Sequence, residues 1–269
     1  MYPVVVRIDL NDLTDSEIEH LERSTLRMAV QALQEYSREA KLIFDRTFAP
    51  SDNEVIVLAE DIVQYALEVA ECYPINKRYA GFIDYKRVRW FPMPFGLIPQ
   101  ALLVDAKAST ENNRDTLQQS QLPMDAEFVD TRGVTHRLAA GVLPFLEIEA
   151  HAGNILHALS TSILVHFYYE KPLHRSTPPY RNLKSIFVLA LPHAKLKGKY
   201  NPGPEDTFFG QGKHSPARQE VPRIRVYFSR LRSMCPWRLQ ELRYLGDGGG
   251  YTVPRWRDLD PESELVDRL

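Results

Sequence analysis

The sequence predicts an α/β or α+β domain in which helices come first and a mixed β-sheet follows. Two observations carry this prediction. Apolar residues recur at three- and four-residue spacing until about residue 72, as in amphipathic helices. Beyond that point the apolar segments are shorter and rich in aromatic and β-branched residues, as in strands. The 269 residues suit one domain, with a helical part at about 1–75 and a sheet part at about 76–269.

Two amphipathic helices are expected in the first part. Residues 15–44 read as one long helix, whose start is capped either by Ser16 or by Thr14 with Glu17 three residues on. Residues 54–72 read as a second helix. Both patterns are typical of helices that pack one face against a core.

The sheet is expected to begin with a hairpin. Residues 79–91 and 101–108 are both strand-like, and a turn at 93–96 separates them. Residues 198–222 form a long connection rich in glycine and proline, and such a connection is usually functional or mobile. Further strands are predicted at 161–170, 184–192 and 223–228.

Several classes of protein are disfavoured by what the sequence lacks. The two cysteines, Cys72 and Cys235, are far apart and have no metal-ligand spacing, so we expect a reduced, cytoplasmic protein. The N-terminus has no signal-peptide pattern, and no apolar run is long enough to span a bilayer. The chain contains no G-x-S-x-G, H-E-x-x-H or P-loop motif.

The net charge of −2 conceals an uneven distribution. Residues 171–238 hold 14 Lys or Arg against 3 Asp or Glu, which leaves 19 basic and 32 acidic residues elsewhere. A basic segment on an otherwise acidic chain favours a binding face for a polyanion such as nucleic acid. The alternative is that this charge is spread around the surface or pairs with the acidic part.

The strand at 101–108 carries a candidate catalytic motif. Residues two apart on a strand share a face, so Asp105 and Lys107 should project together while Leu102, Val104 and Ala106 face the core. Asp84 lies 21 residues upstream, in the strand expected to pair with this one. Carboxylates that hold Mg²⁺ near a phosphodiester, with a lysine beside them, are suited to its hydrolysis.

The acid-any-lysine motif alone is weak, because three such triplets occur, beginning at Glu39, Asp84 and Asp105. Only the third follows a buried apolar strand and has a partner acid in a preceding strand. A surface ion pair at a strand end is the competing interpretation. Glu60 on the second helix could deliver a further carboxylate to the site, although its spacing alone favours a capping or exposed role.

The basic segment also contains candidates for contact with DNA. Arginine and lysine bind guanine in the major groove, and the same side chains bind phosphates without reading sequence. Either role is open to each of Lys213, His214, Arg218, Arg223 and Arg225.

A series of strings in one order resembles the SfiI family of type II restriction endonucleases, within the PD-(D/E)xK superfamily. The resemblance covers about residues 20 to 260, and 130–158 and 170–182 are less clear. The strings are VIVLAEDI, YALEVAE, YPIN, GFIDYKRVRW, LLVDAKAST, NRDTLQ, SQLPMDAEF, KHSPAR, RIRVYF, CPWRLQEL and PRWRDL.

This resemblance implies a PD-(D/E)xK core, in which helices flank a mixed sheet, and Mg²⁺-dependent cleavage of double-stranded DNA. It places catalytic residues on Asp84, Asp105 and Lys107 and a supporting acid on Glu60. Ile83 stands where the motif has proline, and that proline is not a ligand. Contacts with bases or backbone are implied for Arg114, Lys213, Arg223 and Arg225.

The resemblance further implies a target and an assembly. The target would be an interrupted palindrome, with two GGCC halves around an unspecified spacer. A two-fold site with two strands to cut requires at least a symmetric dimer, and the resemblance points to a homotetramer that holds two duplexes. Two other functions remain open: a DNA-binding protein without catalysis, and a nuclease without sequence specificity.

Overall fold

The computed structural model describes residues 10–49, 51–70, 72–74, 86–93, 96–110, 115–149, 155–171, 177–212, 223–246 and 250–252. The helices are α1 (Asp15–Glu35), α2 (Ser37–Arg46), α3 (Asp52–Val69), α4 (Lys197–Tyr200) and α5 (Phe228–Met234). Short 3-10 helices occupy Leu10–Asp12, Gln119–Gln121, Ala194–Leu196 and Pro236–Arg238. None of the helices in these ranges is long and apolar enough to cross a membrane.

The first helix starts where the sequence predicts and is interrupted where it does not. Thr14 Oγ1 accepts a hydrogen bond from Glu17 N at 3.3 Å, and the Glu17 carboxylate accepts from Thr14 N at 2.8 Å. This is the capping box, so Thr14 rather than Ser16 is the cap. The single helix predicted over 15–44 is wrong, because Tyr36 leaves helical geometry and separates α1 from α2.

The strands are β1 (Tyr73–Pro74), β2 (Lys86–Met93), β3 (Gly96–Ser109), β4 (Asp115–Leu117), β5 (Ala126–Val129), β6 (Thr135–Leu138), β7 (Phe145–Glu149), β8 (Ile155–Glu170), β9 (Asn182–Leu191), β10 (Phe209–Gln211), β11 (Ile224–Val226), β12 (Leu239–Leu245) and β13 (Gly250–Tyr251). The main sheet has the order β1-β2-β3-β8-β9-β12-β13, and β7 pairs with the first part of β8. Strands β3 and β8 run parallel and the other neighbours antiparallel, so the predicted mixed sheet is confirmed.

The predicted strands lie close to the observed ones. The hairpin is confirmed as β2 and β3, which pair antiparallel up to Met93 opposite Gly96. Residues 79–85 of the predicted first strand lie outside the described residues. The segments predicted at 161–170 and 184–192 are β8 and β9. The strand predicted at 223–228 is shorter, because the chain enters α5 at Phe228.

One hydrophobic core lies between the main sheet and the first helices. It contains Leu102, Val104 and Ala106 of β3, the inner faces of α1, α2 and α3, and the inward side chains of β8 and β9. Phe44 of α2 stacks on Phe167 of β8, with ring centroids 5.5 Å apart. The interruption at Tyr36 therefore separates two helices that each bury a face in this core.

A buried ion pair ties α1 to the sheet. Arg238 Nη2 lies 2.7 Å from Glu22 Oε2, and both side chains are almost fully buried. The Arg238 guanidinium lies between the rings of Tyr200 and Trp237, 4.4 Å from each centroid. His193 N donates to the other Glu22 oxygen at 2.7 Å. These contacts satisfy charges that would otherwise be costly to bury.

Two small sheets adjoin the main one. Strands β10, β11 and β4 form an antiparallel three-stranded sheet, and β5 and β6 form a hairpin. Gln211 of β10 accepts hydrogen bonds from Thr131 N at 3.1 Å and from Thr131 Oγ1 at 2.9 Å, at the turn of that hairpin. The hairpin therefore supports the end of β10.

Candidate active site

The long strand β3 presents different residues on its two faces. Leu102, Val104 and Ala106 belong to the core beneath the helices. Leu103 lies on the opposite face, in a smaller cluster with Val142 and Leu146 among others. The alternation predicted for this strand is therefore observed, and it places Asp105 and Lys107 together on the face away from α1, α2 and α3.

Asp105 and Lys107 are in direct contact. Lys107 Nζ donates to Asp105 Oδ1 at 2.8 Å. Asp105 is 4% exposed, so its carboxylate lies in the protein, whereas the Lys107 side chain is 21% exposed and reaches solvent at one end. The surface ion pair considered from the sequence is not what the structure contains. A nearly buried carboxylate that accepts a charge-assisted hydrogen bond from a lysine is typical of functional sites.

The neighbouring strand β8 continues this face of the sheet. The parallel register sets Asp105 opposite Leu164 and Lys107 opposite His166. His166 is 1% exposed, and its Nε2 lies 3.1 Å from Ser109 Oγ, at hydrogen-bond distance. The buried His166 therefore lies beside Lys107 and contacts Ser109.

Of the other two proposed acids, Asp84 and Glu60, the structure describes only Glu60. Asp84 lies outside the described residues; the first described residue after it, Lys86, pairs with Leu103 of β3. Glu60 is a half-buried residue of α3, the helix that packs against β3. Within the described part of the chain, no three His, Cys, Asp or Glu side chains lie close enough together to hold a metal ion.

The three-stranded sheet carries two of the candidate DNA contacts. Arg225, on the central strand β11, pairs with Gly210 of β10 and Thr116 of β4 and is 9% exposed. Arg223 is exposed just before the strand. Ile224 and Val226 are buried in the core, and Arg225 between them is buried as well, so β11 does not alternate between buried and exposed residues. Arg114, Lys213, His214 and Arg218 lie outside the described residues.

Glycines allow β10 to approach β11 closely. A Cβ on Gly210 would overlap the ring of Tyr227, and one on Gly212 would lie 2.7 Å from the carbonyl oxygen of Arg223. The two glycines around Gln211 are therefore explained by packing. Both glycines allow β10 to pair closely with β11, the strand that carries Arg225 and directly follows Arg223.

Sequence reasoning did not single out Ser109 or His166. Ser109 is two residues after Lys107 in a strand, so the period of two could have placed it on the same face as Asp105 and Lys107. His166 was included in a predicted strand, but its position beside Lys107 depends on the register of two distant segments. Only that register identifies His166.

Comparison with known proteins agrees with this architecture. Residues 38–242 match the family model described as type II restriction enzyme SfiI. The chain is 64% identical over 259 residues to the type II restriction enzyme SfiI of Streptomyces fimbriatus, and the match covers 96% of each chain.

Two solved structures are similar to this fold. One is tetrameric restriction endonuclease SfiI bound to cognate DNA, with a TM-score of 0.85 and 62% identity over 96% of this chain and 95% of that one. The other is restriction endonuclease BglI bound to its DNA recognition sequence. Its TM-score is 0.64 and its identity 13%, over 84% of this chain and 90% of that one, so this likeness concerns the fold alone. The chain belongs to the SfiI family of type II restriction enzymes, which are site-specific deoxyribonucleases.

Proposed function

We propose that this protein makes Mg²⁺-dependent double-strand cuts at an interrupted palindrome composed of two GGCC halves and a spacer, with Asp84, Asp105 and Lys107 as its catalytic residues. The observation that carries the proposal is the contact between Asp105 and Lys107 on one face of β3. It lies in a chain 64% identical to a type II restriction enzyme.

The donor set suits a hard divalent cation. Mg²⁺ takes oxygen ligands and is usually held by one or two carboxylates together with water and phosphate oxygens. Asp105 offers a carboxylate that is 4% exposed, and Asp84 would supply the second. When bound, Mg²⁺ polarises the phosphate and lowers the pKa of a bound water, which makes that water a better nucleophile.

The protein side chains have separate tasks around that ion. Asp105 and Asp84 would hold the ion. Lys107 lies within hydrogen-bond reach of Asp105 and would orient the attacking water and offset negative charge that develops on the phosphate. Glu60 is proposed as a supporting acid from the resemblance alone, since α3 packs on the other side of β3 from Asp105 and Lys107.

Binding of DNA is proposed for the three-stranded sheet and its surroundings. Arg225 lies in β11 and Arg223 directly precedes that strand. β11 pairs with β4, which follows the strand that carries Asp105. Arg114, Lys213, His214 and Arg218 are proposed to contact bases or backbone as well. The relative with a solved structure is tetrameric and bound to cognate DNA. A homotetramer that acts on two duplexes is therefore proposed here, in the cytoplasm predicted from the sequence.

A plasmid digest tests the activity and separates it from the alternatives. Plasmids with and without the two GGCC halves are incubated with the protein, with and without Mg²⁺. Discrete fragments that need both the site and the metal support the proposal. A smear indicates a non-specific nuclease, and binding without cleavage indicates a non-catalytic DNA-binding protein.

Two variants make the same assay specific for the site. Asp105→Ala should abolish cleavage and leave DNA binding intact. Glu39→Ala is the matched control, because Glu39 also begins an acid-any-lysine triplet but is exposed on α2. Near wild-type cutting by Asp105→Ala would remove Asp105 from the site. Cleavage rates on plasmids with one and with two target sites test the tetramer. Equal rates per site on both plasmids would mean that cleavage requires only a dimer.

A further inference from the structure

The three-stranded sheet that carries Arg225 is joined to the catalytic face at two places. The first is covalent: β3 ends at Ser109, and the chain enters β4, the neighbour of β11, at Asp115. The second is α5, which begins at Phe228, two residues after β11 ends. Both joints meet the main sheet close to Lys107.

The second joint is an aromatic contact with the histidine beside the catalytic lysine. The Phe228 ring lies 5.8 Å from the His166 ring at an interplanar angle of 79°, an edge-to-face arrangement. Phe187 of β9 completes the cluster, 5.7 Å from Phe228 and 6.3 Å from His166. His166 is opposite Lys107 in the parallel pair of strands. Phe228 therefore packs against β8, the strand that pairs with β3.

On its other side, the start of α5 is held firmly by β10. Tyr227 N donates to Phe208 O at 2.8 Å. The Arg230 guanidinium lies 4.5 Å above the Tyr227 ring, and its Nη1 donates to Phe209 O at 3.2 Å. The absence of a side chain on Gly210 lets the Tyr227 ring lie against the strand. These contacts make β10, β11 and the start of α5 one unit.

Space beside the aromatic contact leaves the start of α5 room to shift. A cavity of about 590 Å³ opens between α5 and strands β8, β9 and β12. It is bounded by Phe228, His166 and Phe187 on one side and by polar residues that include Ser185, Arg232 and Glu241. A close-packed cluster would resist displacement, whereas α5 borders open volume.

We propose that Phe228 and His166 are positioning residues that couple base recognition on β11 to cleavage at Asp105 and Lys107. The inference rests on the proposed endonuclease function. Phe228 already contacts His166 in this structure. Correct base contacts keep β11 and the start of α5 in place, so that this contact is retained and His166 stays beside Lys107. An incorrect base pair lets the start of α5 shift toward the cavity, the contact is lost, and Lys107 is displaced from the scissile phosphate. Misplacement of a reacting group by about 1 Å costs on the order of 10²-fold in rate.

The test compares Phe228→Ala with a matched control, Phe145→Ala. Phe145 is also a half-buried phenylalanine beside a buried histidine, 5.9 Å from His193, but it has no contact with α5 among the described ring contacts. Affinity for the target duplex is measured with Ca²⁺, and single-turnover cleavage with Mg²⁺. Phe228→Ala should bind the target nearly as wild type and cut it about 10²-fold more slowly. Phe145→Ala should bind and cut as wild type.

Two further measurements separate positioning from general packing. The ratio of cleavage rates on the target and on a site with one changed base pair should shrink in Phe228→Ala and stay constant in Phe145→Ala. The double variant Phe228→Ala/His166→Ala should be no slower than the slower single variant, because coupled residues give non-additive effects. Phe228→Leu keeps apolar volume without the ring edge, and it replaces Phe228→Ala if that variant does not fold.

Distinct outcomes overturn the proposal and the function beneath it. Equal cleavage by the Phe228 variants and Phe145→Ala, or strictly additive losses in the double variant, would overturn the coupling role. A wild-type protein that binds but never cuts would instead overturn the proposed endonuclease activity.

Discussion

Lys107 Nζ lies 2.8 Å from Asp105 Oδ1, two residues away on the same face of β3. The contact compensates the charge of a carboxylate that is 4% exposed. It also sets the lysine beside the carboxylate that is proposed to hold the metal. The two residues therefore form one unit, and loss of either should affect the chemical step more than the binding of DNA.

Lys107→Ala should bind the target duplex in Ca²⁺ and fail to cut it in Mg²⁺. The proposed role of the ammonium is to orient water and offset charge at the phosphate, and neither is needed for base contacts. Lys184→Ala is the control, because Lys184 is also a strand lysine paired with a carboxylate, 3.2 Å from Glu170. Gel-shift and single-turnover assays measure the two steps. Efficient cutting by Lys107→Ala would show that the lysine is dispensable.

Arg225→Lys should lower affinity for the target by about 1–3 kcal/mol if Arg225 makes a bidentate base contact, because lysine keeps the charge and loses the fork. Affinity for random DNA should then be nearly unchanged. Arg137→Ala, at an exposed arginine of β6, serves as the control. Titrations on both duplexes across a salt series decide the role. Equal losses on both would indicate a phosphate contact.

Glu22→Gln should lower the free energy of unfolding by about 3–5 kcal/mol at most, because it removes the nearer carboxylate from the buried Arg238 guanidinium and leaves only Glu19, 3.5 Å away. Lys199→Ala is the control, since Lys199 pairs with Glu19 but is 52% exposed, and such pairs contribute about 0–1 kcal/mol. Chemical denaturation measures both variants. A small loss in Glu22→Gln would mean that the pair is not needed to hold α1 on the sheet.

Acidification should destabilise the fold through His193. Burial lowers the pKa of His193, and the charge of Lys195 adds to this, while the hydrogen bond to Pro144 O opposes it. The folded protein therefore binds a proton at His193 less readily than the unfolded chain, in which the ring takes one up near its usual pKa of about 6.5. Stability is retained above that value and is lost as the pH falls below it, by at most about 1.4 kcal/mol at about pH 5.5.

The pH effect is measured as the change in unfolding free energy between about pH 7.5 and about pH 5.5, a window above the usual carboxylate pKa values. His193→Asn should reduce this change. His157→Asn, at an exposed histidine, should not alter it. An unchanged slope in His193→Asn would assign the acid sensitivity to other groups.

Features that depend on neighbouring residues could be predicted from the sequence. The Thr14 cap and the two faces of β3 follow from short-range spacing, and both are observed. The break at Tyr36 was missed because the helical period continues through it into α2. Strands of three to five residues, such as β4 and β10, carry too few positions to show a period of two.

Features that depend on distant segments could not be predicted from the pattern alone. Glu22 and Arg238 are 216 residues apart, and no local period indicates that they meet. His166 lies beside Lys107 only because β3 and β8 pair in one particular register. The contact between Asp105 and Lys107 could be predicted because both residues lie within a single strand. The contacts proposed to position it involve several strands and a helix.

The parallel pairing of β3 with β8 has a consequence for how the enzyme is made. Parallel neighbours need a long crossover, and here it runs from Ser109 to Ile155 and includes β4 to β7. During translation, Asp105 and Lys107 leave the ribosome well before their partners Leu164 and His166. Pairings that are remote in sequence form late. A nascent or truncated chain that ends before β8 should therefore carry the proposed catalytic residues without a nuclease site, and the host chromosome should be safe from incomplete copies of the enzyme.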